Sequence, residues 1–178
     1  MIDLADHMPT LTTDRLTLRA PRPADFDAYA NFAASDRATG VGGPHPRWQA
    51  WRSFAQLWGH FALRGYTRFT VTRTGADDEP LGLIGPYHPV EWPEAELAWS
   101  VYAPAEGQGI AFEAAIAVRR HVYDDLGWPT AISVCEADNP RTVALAKRLG
   151  CTPDGTFDHP GYGTMPIWRH PAPAEVAA

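Results

Sequence analysis

Residues 103–122 read APAEGQGIAFEAAIAVRRHV. The segment before them, EAELAWSVY over 94–102, alternates as a strand does. It puts Leu97, Trp99 and Val101 on one side and Glu96, Ala98 and Ser100 on the other. A strand ending at Tyr102, a turn holding Gly107 and Gly109, and a helix over 109–126 therefore follow in order. The first N–H groups of such a helix lack intrahelical acceptors, and the macrodipole adds partial positive charge, so a glycine turn feeding it suits a phosphate. A dinucleotide fingerprint fails on register: the sixth position from Gly107 is Phe112, and no acidic ribose ligand follows on a parallel strand. A P-loop fails as well, because its lysine would have to follow the glycine and the sole lysine is Lys147.

Outward from this segment, 130–136 reads as a strand, 140–149 as a helix closed by Gly150, and 152–157 and 165–169 as two final strands. Toward the N-terminus, 66–73 and 80–88 flank the polar turn TGADDEP and form a hairpin. Residues 48–63 form a helix in which Trp51, Phe54, Trp58 and Phe61 recur at helical spacing, with Leu57 and Ala62 widening the stripe and Gly65 as the stop. Before it lie the loop TGVGGPHP, a short helix over 23–35, and a strand over 11–20 that alternates about Leu16 and Leu18. The order β, α, α, β, β, β, α, β, α, β, β predicts an α+β (mixed α/β) fold. Its sheet should be mixed and mostly antiparallel, with about seven strands and helices on both faces.

The 178 residues suit a single domain over 11–170, with flexible termini at 1–10 and 171–178. Apolar residues at 45% and charged residues at 20% argue against disorder. Fifteen Lys and Arg against 21 Asp and Glu, a formal charge of -6, exclude a broad phosphate-seeking surface and hence a nucleic-acid partner. MIDLADHMPT has no leader pattern, and no stretch approaches the roughly 18 consecutive apolar residues of a membrane span, so a soluble, cytoplasmic protein without a membrane partner is expected. Cys135 and Cys151 lack metal spacing; reduced thiols and no metal site follow. With one lysine in the chain, an anion site would be built from arginine.

The run EGQGIAFEA over 106–114 resembles the acyl-CoA pyrophosphate loop of the GNAT N-acetyltransferases, in particular the RimJ/RimL-like branch, with Gly109 and Ala111 in the matching places. That branch has a second signature, an Asn followed three residues on by Ser and then a helix ending in Lys-x-Leu-Gly-Phe. Asn139, Thr142, Arg148, Leu149, Gly150 and Cys151 occupy its positions here. The resemblance extends through the element order from about residue 11 to 169 and implies a GNAT-like fold. It also implies transfer of an acetyl group from acetyl-CoA, as co-substrate, to a primary amine on a small molecule or a peptide. Three departures stand out: Glu106 where Arg or Gln is usual, Cys151 for an aromatic Phe, and Ala146 where many relatives carry a Tyr thought to reprotonate the leaving thiolate.

On this resemblance, Gln108, Gly109, Ile110, Ala111 and Phe112 hold the pyrophosphate, while Val101 at the splayed strand end, Asn139 and Thr142 meet the pantetheine arm. Glu96 is the candidate base, on one strand face with Ser100; the plainer reading is a carboxylate paired with an arginine or solvated. Tyr87, His88, Glu91, Glu94, His159 and Tyr162 are weaker candidates, being polar loop residues of a kind most often exposed. His60 and His121 read as packing or surface residues, Glu113 as a brace for the anion loop, and Arg119 and Arg120 as a solvated face or an attraction for the 3′-phosphate. Trp48 and Trp51, with Phe54 and Trp58, would give the acceptor cleft an apolar or aromatic wall with few charges. A homodimer is common among similar proteins. A noncatalytic acyl-CoA-binding module, suggested by Glu106 and Ala146, and a plain interaction domain are the competing readings.

Overall fold

The computed structural model describes residues 4–135 and 139–176. Strands β1 (Leu11–Thr12), β2 (Leu16–Arg19), β3 (Phe69–Arg73), β4 (Gly82–Tyr87), β5 (Glu96–Val101), β6 (Ile132–Val134), β7 (Thr152–His159) and β8 (Gly163–Arg169) form one sheet. Its order is β1-β2-β3-β4-β5-β6-β8-β7. β5 and β6 run parallel, and the other neighbours are antiparallel, as the element order predicts.

The sheet has eight strands because the stretch expected as one strand over 11–20 folds back on itself. The Thr13 N–H donates to the Leu16 carbonyl at 2.9 Å, and the Thr13 hydroxyl accepts from the Leu16 N–H at 2.9 Å. These local bonds offer the backbone a turn in place of a ladder, and Leu11 pairs with Leu18. The strand expected over 130–136 is shorter than its pattern, and its Glu136 lies outside the described residues. Residues 36–41 wind into a 3₁₀ helix that takes in the start of the loop expected over 39–46, and Pro173–Val176 forms a single short helix, α5.

Helices α1 (Phe26–Ala33) and α2 (Arg47–Arg64) cover one face of the sheet, where Tyr29, Phe32, Phe54 and Leu57 pack with Leu83 and Tyr102. Helix α3 (Ile110–Asp124) covers the other, where Ile110, Val118 and Val122 meet Leu16, Leu18, Val71 and Leu97. Each such side chain, once buried, contributes about 1.5–3 kcal/mol. Helix α4 (Pro140–Arg148) packs beside α3 through Ala115, Ala146, Leu149, Cys151 and Trp168. Cys151 is thus buried in the same cluster as the Trp168 indole of β8. Helix α2 does not turn its whole aromatic stripe inward: Ala50, Phe54, Leu57, His60 and Phe61 are buried, while Trp48 and Trp51 are 58% and 52% exposed.

Candidate active site

The ladder between β5 and β6 joins Glu96 to Ile132, and beyond it the strands part. The next bonds across the gap are made by side chains. The Ser133 hydroxyl donates to the Leu97 carbonyl at 2.7 Å, and the Val134 N–H donates to the Glu96 carboxylate at 3.0 Å. β5 pairs with β4 along its whole length, so alternation turns the main-chain groups of Trp99 and Val101 to the parted edge.

A cavity of about 660 Å³ occupies the gap. At one end it is lined by Val101, Gly107, Gly109, Ile110, Ala111 and Phe112. Gly109, at φ 76°, is the N-cap of α3; a left-handed residue is needed there to swing the turn into the helix, and no side chain caps the first amides. Those amides, together with the Arg141 and Arg148 guanidinium groups on the same wall, form a donor set that suits a pyrophosphate. Gln108 stands apart from its neighbours. Its side chain donates to the Pro104 carbonyl at 2.6 Å and accepts from Arg73, so it shapes the turn from outside the cavity. Glu113 braces the same turn by accepting from Thr13 and Arg15, and Arg15 also donates to the Gln108 carbonyl at 3.3 Å.

Asn139 is the N-cap of α4: its Oδ1 accepts from the Thr142 N–H at 3.2 Å. The Thr142 hydroxyl in turn accepts from the Trp99 indole at 3.3 Å, and both residues line the cavity. Opposite them, the 36–42 segment forms a roof. A Cβ at Gly40 would lie 2.3 Å from Asn139 Nδ2, and one at Gly42 would lie 2.7 Å from the Tyr162 ring. Glu106 fastens this roof on the donor side, taking Arg37 from the 36–41 helix and Arg141 from α4, the latter at 2.6 Å. The carboxylate that departs from the usual loop pattern is therefore neutralised by two arginines that sequence spacing gives no reason to connect.

At the other end lie Tyr29, Phe32, Arg68, Tyr87, Trp92 and Glu96. Glu96 is 5% exposed, and Tyr87 is its cross-strand partner on β4. Burial pushes the Glu96 carboxyl up to about 7, against the opposing pull of the Val134 N–H, the Arg68 charge and the Trp92 indole, whose N–H makes no hydrogen bond of good geometry. A buried carboxyl that titrates near neutrality, next to open space, is suited to accept a proton. Trp48 and Trp51 are not at this end, and α2 reaches the cavity through Ser53 and Gln56 instead.

The other sequence candidates fall elsewhere. Glu94 is held by Arg169, its carboxyl lowered chiefly by that hydrogen bond. His159 is stacked on Tyr162 at 4.6 Å, and only Tyr162 of the two lines the cavity. His88 gives its N–H to His60, which packs inside, and Glu91 is exposed. His121 is buried against Phe69 and bonded to Asp125. Arg119, expected on a solvated face or near a phosphate, is buried and donates to the Leu149 carbonyl at 2.7 Å, because that carbonyl ends α4 without an intrahelical donor. Arg120 alone of the pair is exposed. Among the described residues no group of three or more His, Cys, Asp or Glu could hold a metal, and no helix is long and apolar enough to cross a membrane.

The model of the acetyltransferase (GNAT) domain family matches residues 15–152. An acetyltransferase from Agrobacterium tumefaciens str. C58 is 36% identical, with a TM-score of 0.83 over 92% of this chain and 95% of its own. A GNAT-family acetyltransferase from Bacillus anthracis, 17% identical, superposes with a TM-score of 0.74 over 92% of this chain and 98% of its own. RimL, a ribosomal L7/L12 alpha-N-protein acetyltransferase solved in complex with coenzyme A, gives 0.72 at 17% identity, over 93% and 99% of the two chains. None of the curated proteins matches. A parted parallel strand pair, an uncapped helix start beside it and a family match across most of the chain lead to one assignment: the protein belongs to the GNAT acetyltransferase family and is an N-acetyltransferase.

Proposed function

We propose that the protein moves an acetyl group from acetyl-CoA to a primary amine by direct attack in a ternary complex. The observation that carries this reading is the Glu96 carboxyl, buried at the parting of β5 and β6 and open to the same cavity as the uncapped start of α3. Bound acetyl-CoA supplies an acyl thioester that an amine nitrogen can attack. The amides of 110–112 would hold its pyrophosphate, with Arg141 and Arg148 adding charge, and the turned-out main chain of Trp99 and Val101 would align its arm.

Glu96 takes the proton that an ammonium must lose before its nitrogen is a nucleophile. An ordinary carboxylate is a poor base for this task; one titrating near 7 is closer to the ammonium and still about half ionised in neutral solution. The position at which many relatives carry a tyrosine is Ala146, fully buried against Cys151 and Trp168, so α4 offers no acid there for the departing thiolate.

The test is incubation of the purified protein with acetyl-CoA and a mixed amine panel, reading free CoA thiol and the mass gain of one acetyl group. Turnover supports the reading. Thermal stabilisation by acetyl-CoA without turnover of any amine would instead identify a noncatalytic acyl-CoA-binding module.

A further inference from the structure

Among the described residues four arginines line the cavity, and two of them are paired with a carboxylate. Arg37 and Arg141 hold Glu106, and Arg148 lies 4.0 Å over the Phe112 ring. Arg68, the residue before β3, is different. Its guanidinium lies 5.0 Å over the Tyr87 ring, and among the described residues its buried Nε has no hydrogen-bond partner and no carboxylate pairs with it. Glu96 feels its field but is not joined to it, being occupied by Val134. A guanidinium partly withdrawn from water without an anion costs free energy that a bound anion would return.

The backbone carrying this side chain is tightly packed against the next strand. A Cβ at Gly85 would lie 2.6 Å from the Arg68 Cα, so β4 approaches that closely only because position 85 has no side chain. The partner of Gly85 on β5 is Ala98, again small. Arg68 lies at one side of the cavity, with Ala98 on its floor and the Tyr87–Glu96 pair along its edge.

We propose that Arg68 receives a carboxylate carried by the acceptor, and that the acceptor is a free amino acid with an apolar or aromatic side chain. The inference rests on the N-acetyltransfer reading above and names its substrate class. Glu96 takes one proton from the ammonium, the freed nitrogen attacks the thioester carbon, the nitrogen–acyl bond forms and the carbon–sulfur bond breaks; the second proton shed by the nitrogen goes to the departing thiolate, so the thiol leaves and the N-acetyl amino acid remains. The carboxylate stays bound to Arg68 as a two-point anchor. Tyr29, Phe32 and Trp92 bound the space left for the side chain. The roof over 36–42, against Asn139 and Tyr162, bounds the cavity, whose volume of about 660 Å³ suits a small-molecule acceptor.

The experiment compares kcat/KM, by CoA thiol release from the full chain, for three forms of one amine: free phenylalanine or leucine, its carboxamide, and its decarboxylated amine. A dipeptide beginning with aspartate is a fourth arm. The expected result is a preference for the free acid of about tenfold to a hundredfold over the amide, reduced toward unity in Arg68→Gln and partly kept in Arg68→Lys. The acid-to-amide ratio is indifferent to the fraction of folded enzyme. Equal or better use of the amide, the decarboxylated amine or the dipeptide overturns the inference while leaving N-acetyltransfer intact, as does an unchanged ratio in Arg68→Gln. Turnover of no amine at all overturns both.

Discussion

The Val134 N–H donates to the Glu96 carboxylate at 3.0 Å across the point where β5 and β6 separate. A side chain thus stands in for the missing rung of the ladder, and one carboxyl holds the strands apart while remaining open to the cavity. Burial raises it to about 7, so only above that pH is it mainly ionised. In Glu96→Gln, kcat/KM should fall by about a hundredfold or more, because the amide can still accept from Val134 but cannot take a proton. The wild type should lose activity below pH 7 and level off above it, and the variant should lack that limb. Heat stability should move the other way. The folded state binds this proton more tightly than the unfolded chain, whose value is near 4.5, so the Glu96 contribution is full below pH 4.5 and fades as pH rises through 7. The Tm of the variant relative to wild type should accordingly rise between pH 5 and pH 8. A variant with full activity and an unaltered pH profile would remove Glu96 from the chemistry.

Among the described residues Glu106 is the other carboxylate that lines the cavity, and its role is opposite in sign. It stands at the phosphate-seeking turn, where negative charge opposes an anion, yet it is shared by Arg37 and Arg141. Glu106→Gln would release two guanidinium groups beside the uncapped amides of α3. The KM for acetyl-CoA should drop severalfold and become more sensitive to salt, since freed charges are screened by ions. Arg141→Ala should raise the same KM. If Glu106→Gln weakened acetyl-CoA instead, the carboxylate would be acting through the roof over 36–42 and not through charge.

The local pattern of 94–122 was enough to place a strand, a glycine turn and a helix start together, because strand alternation, turn glycines and uncapped amides are all local properties. It also set Glu96 and Ser100 along one floor. Arg68, Arg37 and Trp92 carried no such mark: each reaches the cavity through the pairing of strands or the path of the 36–42 roof, which no spacing in the sequence encodes. The aromatic stripe of α2 misled for a related reason. Its period is right for a helix, but a surface helix buries only one side, and the spacing of Trp48, Trp51, Phe54 and Trp58 does not say which. The turn at Thr13 was hidden because it rests on one threonine inside an alternating run, whose N–H and hydroxyl both bond Leu16.

Away from the cavity, Arg19 and Asp25 form a buried bidentate pair at 2.8 Å that also engages Thr70 and the Arg22 N–H. It fixes the entry to α1 against β2 and β3. Removing one partner strands the other in the interior, and a loss of roughly 3–5 kcal/mol is expected for Asp25→Ala. Calorimetry should show the Tm falling by about 10 °C, at 2–4 °C per kcal/mol for a chain of this length. A shift of only one or two degrees would mean that water reaches the guanidinium and replaces the lost carboxylate.

Gly40 and Asn139 give a test of the roof itself. Asn139 caps α4 through Oδ1 while its Nδ2 lies against Gly40, so a methyl group at 40 must push the amide away from the Thr142 N–H. Gly40→Ala should therefore cost about one cap, ~1 kcal/mol, and Asn139→Ala about the same. If the two losses are one event, they will not add: with the amide already removed, the methyl at 40 has room, and the double variant should be no less stable than Asn139→Ala alone. Both single variants should also raise the KM for acetyl-CoA, because Thr142 and Trp99 line its wall of the cavity through the same chain of bonds. Additive losses in the double variant would show that Gly40 is needed for its own backbone and that the contact between roof and helix carries no energy.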